Sequence, residues 1–223
     1  MTIEEFYREK EQADKADKIR RYRILNRYVR KGQIVFAGSS LMEQFPVYEF
    51  LMDDQLPLTI YNRGIGGFTS AEMLDALEEC VFQLEPAHLF LNIGTNDLNG
   101  PAYRQETLLQ NYEALLQKIL QRLPSVQLYL LAYYPVNPEA ASNPYMRQVF
   151  RYRTNERIHA ASRGVEDLAR RYHARFLDLN EGITDALGNL KAEFTVEGMH
   201  MYANGYRQVF AALLPILKTI RTN

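Results

Sequence analysis

Short apolar runs alternate with longer amphipathic stretches along most of this chain. Five of the runs have the length and the β-branched or aromatic content of strands: residues 34–38, 58–61, 88–93, 127–132 and 175–179. Continuous apolar runs are typical of parallel strands that are buried on both faces, and helical stretches lie between them. The pattern therefore predicts an α/β protein, a three-layer α/β/α sandwich around a five-stranded parallel sheet.

The stretches between the predicted strands carry the start and stop signals of helices. Thr2 with Glu5, and Thr69 with Glu72, have the spacing of a capping box, which satisfies free amides at a helix N-terminus. The predicted helices cover residues 2–31, 69–85, about 106–123, about 146–172 with a disturbance at Gly164, and 204–219. Residues 133–145 carry three prolines and two asparagines, and we expect them to form a loop that walls a pocket.

Composition and charge limit the classes of protein that the chain can represent. It has 223 residues, of which 47% are hydrophobic and 24% charged, and we expect one domain over 1–223 with an N-terminal helical extension at about 2–31. The formal net charge is -1, so no basic field attracts nucleic acid or anionic lipid. The acids of the first helix precede most of its bases, an order that complements the helix dipole and makes nucleic-acid contact the weaker interpretation.

Cysteine and histidine usage indicates neither disulfides nor metal sites. Cys80 is the only cysteine, which excludes an internal disulfide, and its apolar neighbours predict a structural thiol on a buried helix face. No metal-ligand spacing, phosphate loop or complete dinucleotide fingerprint is present, so we expect no metal and no cofactor. No stretch approaches the ~18 apolar residues of a membrane span. The polar start of the chain predicts a cytoplasmic protein, and the sequence is compatible with a homo-oligomer.

Residues suited to acyl transfer follow three of the predicted strands and precede the last helix. Open α/β sheets place their sites beyond the carboxyl ends of the strands. Acyl transfer needs a nucleophile, a base, a group that orients the base, and donors that stabilise an oxyanion. The four segments that supply such residues are Gly38-Ser39-Ser40, Asn62-Arg63-Gly64-Ile65-Gly66-Gly67, Gly94-Thr95-Asn96-Asp97 and Glu197-Gly198-Met199-His200.

Several of these residues also have a purely structural interpretation. Ser40 could belong to a simple turn and helix cap, and Asn96 could cap a turn. Gly67 could be an ordinary loop glycine, as could Gly64 or Gly66. At a strand-to-helix turn, however, the Ser40 amide and the helix N-terminus would point toward a reacting carbonyl, and an asparagine NH₂ is a suitable oxyanion donor. We expect Asp97 to hold its loop.

His200 is the candidate base among four histidines. His88 begins a buried strand, while His159 and His173 lie in or near an arginine-rich helix, where we expect them on the surface. His200 lies in a glycine-containing loop three residues after Glu197. That spacing lets the carboxylate contact the imidazole Nδ1 and leaves Nε2 facing a serine.

The four segments resemble the motif blocks of the SGNH, or GDSL-type, hydrolase family of esterases and lipases, which contribute serine, glycine, asparagine and histidine in that order. The resemblance covers the chain beyond the first helix, and the motif at 94–97 is its most specific part. It implies that Ser40 is the nucleophile and His200 the base. It also implies oxyanion positions at Gly67 and Asn96 and a flavodoxin-like fold, and it includes the platelet-activating-factor acetylhydrolase-like branch of the family as a candidate.

Two positions depart from that family pattern. Ser39 stands where the family usually has an aspartate, a variant that occurs in a subset of these proteins. Glu197 replaces the aspartate that orients the base, and it is one methylene longer. Either the loop recedes by ~1.5 Å, about one C–C bond, or a backbone carbonyl orients His200. We expect a working carboxylate, so the predicted triad is Ser40, His200 and Glu197.

The resulting hypothesis is a carboxylic ester hydrolase that removes a short acyl group, with acetyl preferred, from a carbohydrate or lipid-like alcohol through an acyl-enzyme. The expected partner is a small-molecule ester. Two other functions fit the same residues. A non-catalytic binding module would keep the pocket without an effective triad, and a lysophospholipase or thioesterase would need a long apolar acyl channel.

Overall fold

In the computed structural model, which describes residues 2–221, a parallel sheet lies between two layers of helices. The strands are β1 (Ile34–Gly38), β2 (Ile60–Gly64), β3 (His88–Asn92), β4 (Gln127–Leu131) and β5 (Arg175–Leu177). Their order in the sheet is β2-β1-β3-β4-β5, and every neighbouring pair is parallel. The predicted α/β/α sandwich is therefore confirmed, with the strand order of flavodoxin-like folds.

The helices connect successive strands and cover both faces of the sheet. Within residues 2–221 they are α1 (Ile3–Leu25), α2 (Ser40–Glu43), α3 (Val47–Asp53), α4 (Ser70–Asp75), α5 (Leu77–Cys80), α6 (Gln105–Arg122), α7 (Pro144–Val149), α8 (Asn155–Arg171) and α9 (Ala203–Leu217). The predicted capping boxes at Thr2 and Thr69 are both formed. None of these helices is long and apolar enough to cross a membrane.

The sheet separates two apolar cores, because successive side chains of a strand point to opposite faces. On β1, Val35 and Ala37 belong to the core beneath α4, α5, α6 and α8. Ile34 and Phe36 belong to the other core, beneath α3 and α9. Cys80 lies in the first core as a free, fully buried thiol, as predicted. The continuous apolar runs of the sequence are the consequence of this burial on both sides.

The second strand begins and ends later than predicted. The apolar pattern ends at Tyr61, whereas β2 continues through Asn62 and Arg63 to Gly64. Arg63 is only 2% exposed, and its Nε donates a hydrogen bond of 2.9 Å to Asn26 Oδ1. A buried guanidinium with tertiary partners can lie within a strand, here the edge strand β2, but its charge alone predicts a loop.

The predicted helix over about 146–172 is wrong, because the structure has two helices separated by residues 150–154. Thr154 caps the second helix, and its hydroxyl accepts a hydrogen bond from the Arg157 amide. Gly164, where a disturbance was expected, lies inside the continuous helix α8. Apolar spacing on both sides of the break concealed the capping signal at Thr154.

Other boundaries differ more modestly. The helix predicted over 69–85 is divided into α4, α5 and a short 3₁₀ turn, and α3 was not predicted as a separate helix. The N-terminal helix ends at Leu25 and is followed by a 3₁₀ turn, Asn26–Tyr28, so it is shorter than the 2–31 expected. Its Tyr22 is buried and donates a hydrogen bond of 2.6 Å to Gly64 O, which fixes α1 to the end of β2.

Candidate active site

The four chemically suggestive segments meet at one edge of the sheet. Ser40 begins α2 directly after β1, Gly67 follows β2, and Asn96 follows β3. Because the chain runs from β1 outward to β2 and then returns past β1 to β3, this edge is a topological switch point, where open α/β sheets bind ligands. The turn that carries Glu197 and His200 reaches the same place from the segment before α9.

Ser40, His200 and Glu197 form a continuous chain of hydrogen bonds. Ser40 Oγ lies 2.9 Å from His200 Nε2, and His200 Nδ1 lies 2.6 Å from Glu197 Oε1. A carboxylate can only accept, so the proton of the neutral imidazole must be on Nδ1. Nε2 then presents a lone pair to the Ser40 hydroxyl, which is the arrangement that general-base activation of a serine requires.

The longer side chain of Glu197 is accommodated by a tight turn. Glu197 Oε1 also accepts a hydrogen bond of 3.0 Å from the His200 backbone amide, so one oxygen holds both the ring and the main chain of the same residue. Within the turn, Gly198 has φ +102°, and a Cβ there would lie 2.4 Å from Asn137 O. Only glycine fits this backbone, which folds the carboxylate back onto the histidine.

The environment of Glu197 favours its ionised form. Partial burial raises the pKa of this carboxyl, but hydrogen bonds from the His200 ring and backbone, together with the charges of His200 and Arg153, lower it below its ordinary value. Glu197 is therefore an anion at neutral pH and can stabilise an imidazolium on His200.

The amide of Gly67 is the one best placed among the glycines after β2 to serve as an oxyanion donor. The Gly64 amide donates to Asn62 Oδ1 at 2.9 Å, and the Gly66 amide donates to Glu43 Oε2 at 2.6 Å. Gly67 has φ +74°, borders the cleft, and its amide donates to no group within residues 2–221. This discriminates between glycines that the sequence alone left equivalent.

Asn96 also lies at the cleft, in a loop that Asp97 holds in place. Asn96 Nδ2 donates to Phe68 O at 2.9 Å, and its second hydrogen is free to face the cleft. Asp97 Oδ2 accepts from the Ser70 amide at 2.9 Å and Oδ1 from the Ser70 hydroxyl at 2.5 Å, so the expected structural role of Asp97 is confirmed.

These residues border a cleft of about 730 Å³. From residues 133–145, predicted as a loop that walls the pocket, Tyr145 lines the cleft, but it lies in the first turn of α7 rather than in a loop. The opposite wall is helix α1, through Glu11, Gln12 and Lys15. Sequence reasoning missed this contribution, because a charged helix far from the motifs gives no local signal of where it packs.

Salt bridges to Glu72 of α4 and Glu43 of α2 hold α1 beside the site. Lys15 Nζ lies 2.8 Å from Glu11 Oε1 and 2.9 Å from Glu72 Oε1, and Lys18 Nζ lies 2.7 Å from Glu43 Oε1. Lys15 is 7% exposed. Partial burial raises the pKa of Glu72, but hydrogen bonds from Lys15 and Thr69 and the charge of Lys15 lower it below its ordinary value.

The lowered pKa of Glu72 predicts a pH-dependent contribution to stability. A carboxyl with a lower pKa in the folded state stabilises the fold above its unfolded pKa, near 4.5, and this stabilisation disappears as pH falls through the folded value. Glu72→Gln should therefore lower the free energy of unfolding at pH 7, and the difference from wild type should vanish under acid conditions. Urea unfolding between pH 7 and pH 3 measures it, with the exposed Glu9→Gln as control. A difference that persists unchanged into acid would contradict the ionic explanation.

Within the described residues no group of three or more histidine, cysteine, aspartate or glutamate side chains could hold a metal ion. His159 and His173 are exposed, and His88 is partly buried on β3, 3.3 Å from the Tyr129 hydroxyl. Of the four histidines, His200 alone contacts a candidate nucleophile. The hydrogen-bonded groups that the structure brings together in the cleft are the Ser40 hydroxyl, the His200 imidazole and the Glu197 carboxylate.

Comparisons with known proteins bear on the family and the fold of this chain. Residues 36–208 match the sequence model of the GDSL-like lipase/acylhydrolase family. Platelet-activating factor acetylhydrolase IB subunit alpha1 of Bos taurus is 28% identical over 191 residues, which cover 85% of this chain and 77% of that protein. A solved structure from Streptococcus pneumonia, provisionally described as a platelet activating factor, has a TM-score of 0.85 at 29% identity and covers 96% of this chain and 97% of that chain.

A GDSL-like lipase from Bacteroides thetaiotaomicron has the same fold, with a TM-score of 0.74 at 21% identity, covering 90% of this chain and 97% of that chain. The family match begins at residue 36, inside β1. Helix α1, which forms one wall of the cleft, therefore lies outside the matched segment, whereas the streptococcal structure aligns with nearly the whole chain.

Proposed function

Because the chain belongs to the GDSL-like lipase/acylhydrolase family, we propose that it is a serine esterase that hydrolyses a short-chain acyl ester of a carbohydrate or lipid-like alcohol through an acyl-enzyme, with acetyl as the preferred acyl group. The observation that carries the proposal is the hydrogen-bonded series from Ser40 Oγ through His200 to Glu197. A non-catalytic binding module has no need of an activated serine, whereas here Glu197 Oε1 lies 2.6 Å from His200 Nδ1.

In the proposed reaction, Ser40 Oγ attacks the ester carbonyl carbon while its proton passes to His200 Nε2. Glu197 stabilises the imidazolium that forms. The negative charge that develops on the carbonyl oxygen is stabilised by the Ser40 and Gly67 amides and by Asn96 Nδ2. When the tetrahedral intermediate collapses, His200 gives its proton to the departing alcohol. A water molecule then attacks the carbonyl carbon of the acyl-enzyme while its proton passes to His200 Nε2. When the second tetrahedral intermediate collapses, that proton returns to Ser40 Oγ and the acid is released.

The choice of acyl group and alcohol rests on the cleft and on a relative. The α1 wall is polar and charged, with Glu11, Gln12 and Lys15, while Met146 and Met199 give the cleft an apolar part. A carbohydrate alcohol can form hydrogen bonds with the polar α1 wall, and a lipid-like alcohol can pack against the two methionines. The bovine relative is named an acetylhydrolase, which supports acetyl as the acyl group.

A series of aryl esters from acetyl to octanoyl tests this choice. The proposal predicts the highest kcat/KM for acetyl and a decline with chain length, because polar side chains make up most of the lining of the cleft that Ser40 borders. A rate that rises with chain length would instead support a lysophospholipase or thioesterase. Acetylated sugars and acetylated glycerol ethers then distinguish the two alcohol classes.

We predict that Asn96→Ala lowers kcat by about 10²–10³-fold, the usual cost of removing one oxyanion donor. KM should change much less, because the oxyanion exists only along the reaction path. Asn96→Asp, which keeps the shape but replaces the donor with an oxygen, should lose at least as much. Steady-state kinetics with an aryl acetate measures both variants. Unaltered turnover in either would mean that Asn96 only shapes its loop.

Location and partners stay predictions from the sequence. We propose a cytoplasmic enzyme that acts on a small-molecule ester, binds no nucleic acid and uses no cofactor. The near-neutral net charge of the chain supports the absence of nucleic-acid binding. The lack of phosphate-binding and metal-binding motifs in the sequence supports the absence of a cofactor. The sequence is also compatible with a homo-oligomer, and sedimentation of the purified protein measures the oligomeric state.

A further inference from the structure

A fully buried arginine lies directly behind the candidate oxyanion donor. Arg153 is 1% exposed, and its Nη2 donates a hydrogen bond of 2.7 Å to Asn96 Oδ1. Its Nη1 contacts Met199 Sδ, and its Nε has no hydrogen-bond partner within residues 2–221. No described carboxylate lies within ion-pair distance of this guanidinium. Burying a cation without such a partner is costly, so its presence at the site calls for a reason.

The break between α7 and α8 is what turns Arg153 inward. Its backbone amide still donates to Val149 O at 2.9 Å, but the chain leaves the helix here and begins again at Thr154. The side chain consequently enters the space between the Asn96 loop and the turn that carries Met199 and His200. A continuous helix over these residues would place position 153 differently.

The orientation of the Asn96 amide is determined by its two partners. A guanidinium can only donate and a carbonyl can only accept, so Oδ1 must face Arg153 and Nδ2 must face Phe68 O. A flipped amide would set donor against donor and acceptor against acceptor. The remaining Nδ2 hydrogen is thereby directed to the cleft. The contact from Asn99 Nδ2 to the same oxygen is long, at 3.4 Å, and cannot replace the arginine.

We propose that Arg153 is a positioning residue of the oxyanion hole: it locks the Asn96 amide with its donor toward the cleft, and its charge polarises that amide. The proposal rests on the proposed function, since it assigns Arg153 to the same reaction. A positive charge at the amide oxygen makes the N–H a stronger donor. The benefit appears as negative charge develops on the substrate, so it should act on kcat rather than on KM.

The guanidinium is charged under the conditions of the reaction. Burial lowers the pKa of Arg153 to about 10, while the charges of Tyr145, Asp97 and Glu197 act in the opposite direction. Arg153 therefore carries its proton at neutral pH. The negative charges of Asp97 and Glu197 offset part of the cost of burying the guanidinium, although neither carboxylate forms a hydrogen bond to it.

The test uses Arg153→Met, which keeps an apolar side chain of similar length but removes the charge and the donor. In folded protein, kcat for an aryl acetate should fall by about 10–100-fold, less than the loss on removing a donor outright, with KM within about threefold. Arg153→Lys should retain more activity than Arg153→Gln. The exposed Arg151→Met, two residues away, should match wild type.

A double-mutant cycle separates positioning from a merely structural role. If Arg153 acts through Asn96, Arg153→Met should change kcat by no more than about twofold in an Asn96→Ala background. A fully additive loss, or an Arg153→Met variant as active as wild type, would overturn the proposal. If Arg153→Met does not fold, the Lys and Gln variants decide, and equal activity of the two would overturn it.

A readout independent of catalysis distinguishes this proposal from the proposed function. In wild type the side-chain NH₂ resonances of Asn96 should lie well away from those of an exposed asparagine, which marks the locked amide, and in Arg153→Gln they should move toward those values. Unchanged Asn96 signals would overturn the positioning role even in an active esterase. A wild type that hydrolyses no ester but shows the locked amide would refute the proposed function instead.

Discussion

Ser40→Ala is expected to reduce ester turnover by about 10⁵–10⁶-fold, the loss seen when the nucleophile of a serine triad is removed. Ser40 Oγ is the atom that would form the acyl-enzyme, and no described neighbour offers a second hydroxyl to His200 Nε2. The side chain is only partly buried at the border of the cleft, so its removal should leave the free energy of unfolding nearly unchanged. Aryl acetate turnover and urea unfolding measure the two effects.

Ser39→Ala is the matched control for that variant. Ser39 is fully buried, and its hydroxyl has no hydrogen-bond partner within residues 2–221. Replacing it with alanine therefore removes no bond from the described structure and should alter turnover only slightly. The reverse result, with Ser39 essential and Ser40 dispensable, would show that the nucleophile had been assigned to the wrong serine.

Glu197→Gln is expected to have the second largest effect, a fall in kcat of up to about 10⁴-fold, as for the equivalent change in other serine triads. Glutamine keeps the shape but loses the charge that stabilises the imidazolium. Its NH₂ can also donate to Nδ1, which places the imidazole proton on Nε2, facing Ser40. Because Oε1 holds both the ring and the backbone of His200, Glu197→Ala should also lose the orientation of the loop.

The exposed Glu193→Gln controls for a loss of negative charge nearby and should match wild type. Glu197→Asp should fall between wild type and Glu197→Gln, because the shorter carboxylate reaches less far toward Nδ1. Gln and Ala variants within about tenfold of wild type, about 1.4 kcal/mol, would contradict a working carboxylate. The site would then consist of a dyad of Ser40 and His200.

Much of the fold was predictable, because burial on both faces leaves continuous apolar strands such as β1 and β3. The site candidates were predictable for a related reason: residues at the carboxyl ends of parallel strands share one edge. Asn96 and Ser40 are distant in the sequence, yet β1 and β3 are neighbours in the sheet. The strand order itself comes from tertiary packing and was supplied only through the family resemblance.

The features that sequence reasoning missed depend on contacts between distant residues. Arg63 can be buried in β2 because its guanidinium donates a hydrogen bond to Asn26 Oδ1. Arg153 is buried behind Asn96, where its guanidinium donates to Asn96 Oδ1. Neither partner is near in sequence. The packing of α1 against the cleft likewise depends on Lys15 and Glu72, which are 57 positions apart. Local patterns carry no information about such pairs.

A fluorophosphonate probe on the folded protein, followed by peptide mapping, tests the activated serine most directly. The probe forms a covalent bond with a nucleophilic serine and needs no knowledge of the natural ester. The account predicts one equivalent of label, on Ser40, with labelling slowed strongly in His200→Ala and prevented in Ser40→Ala. A folded wild-type sample that takes up no label, or that is labelled at a serine other than Ser40, would contradict it.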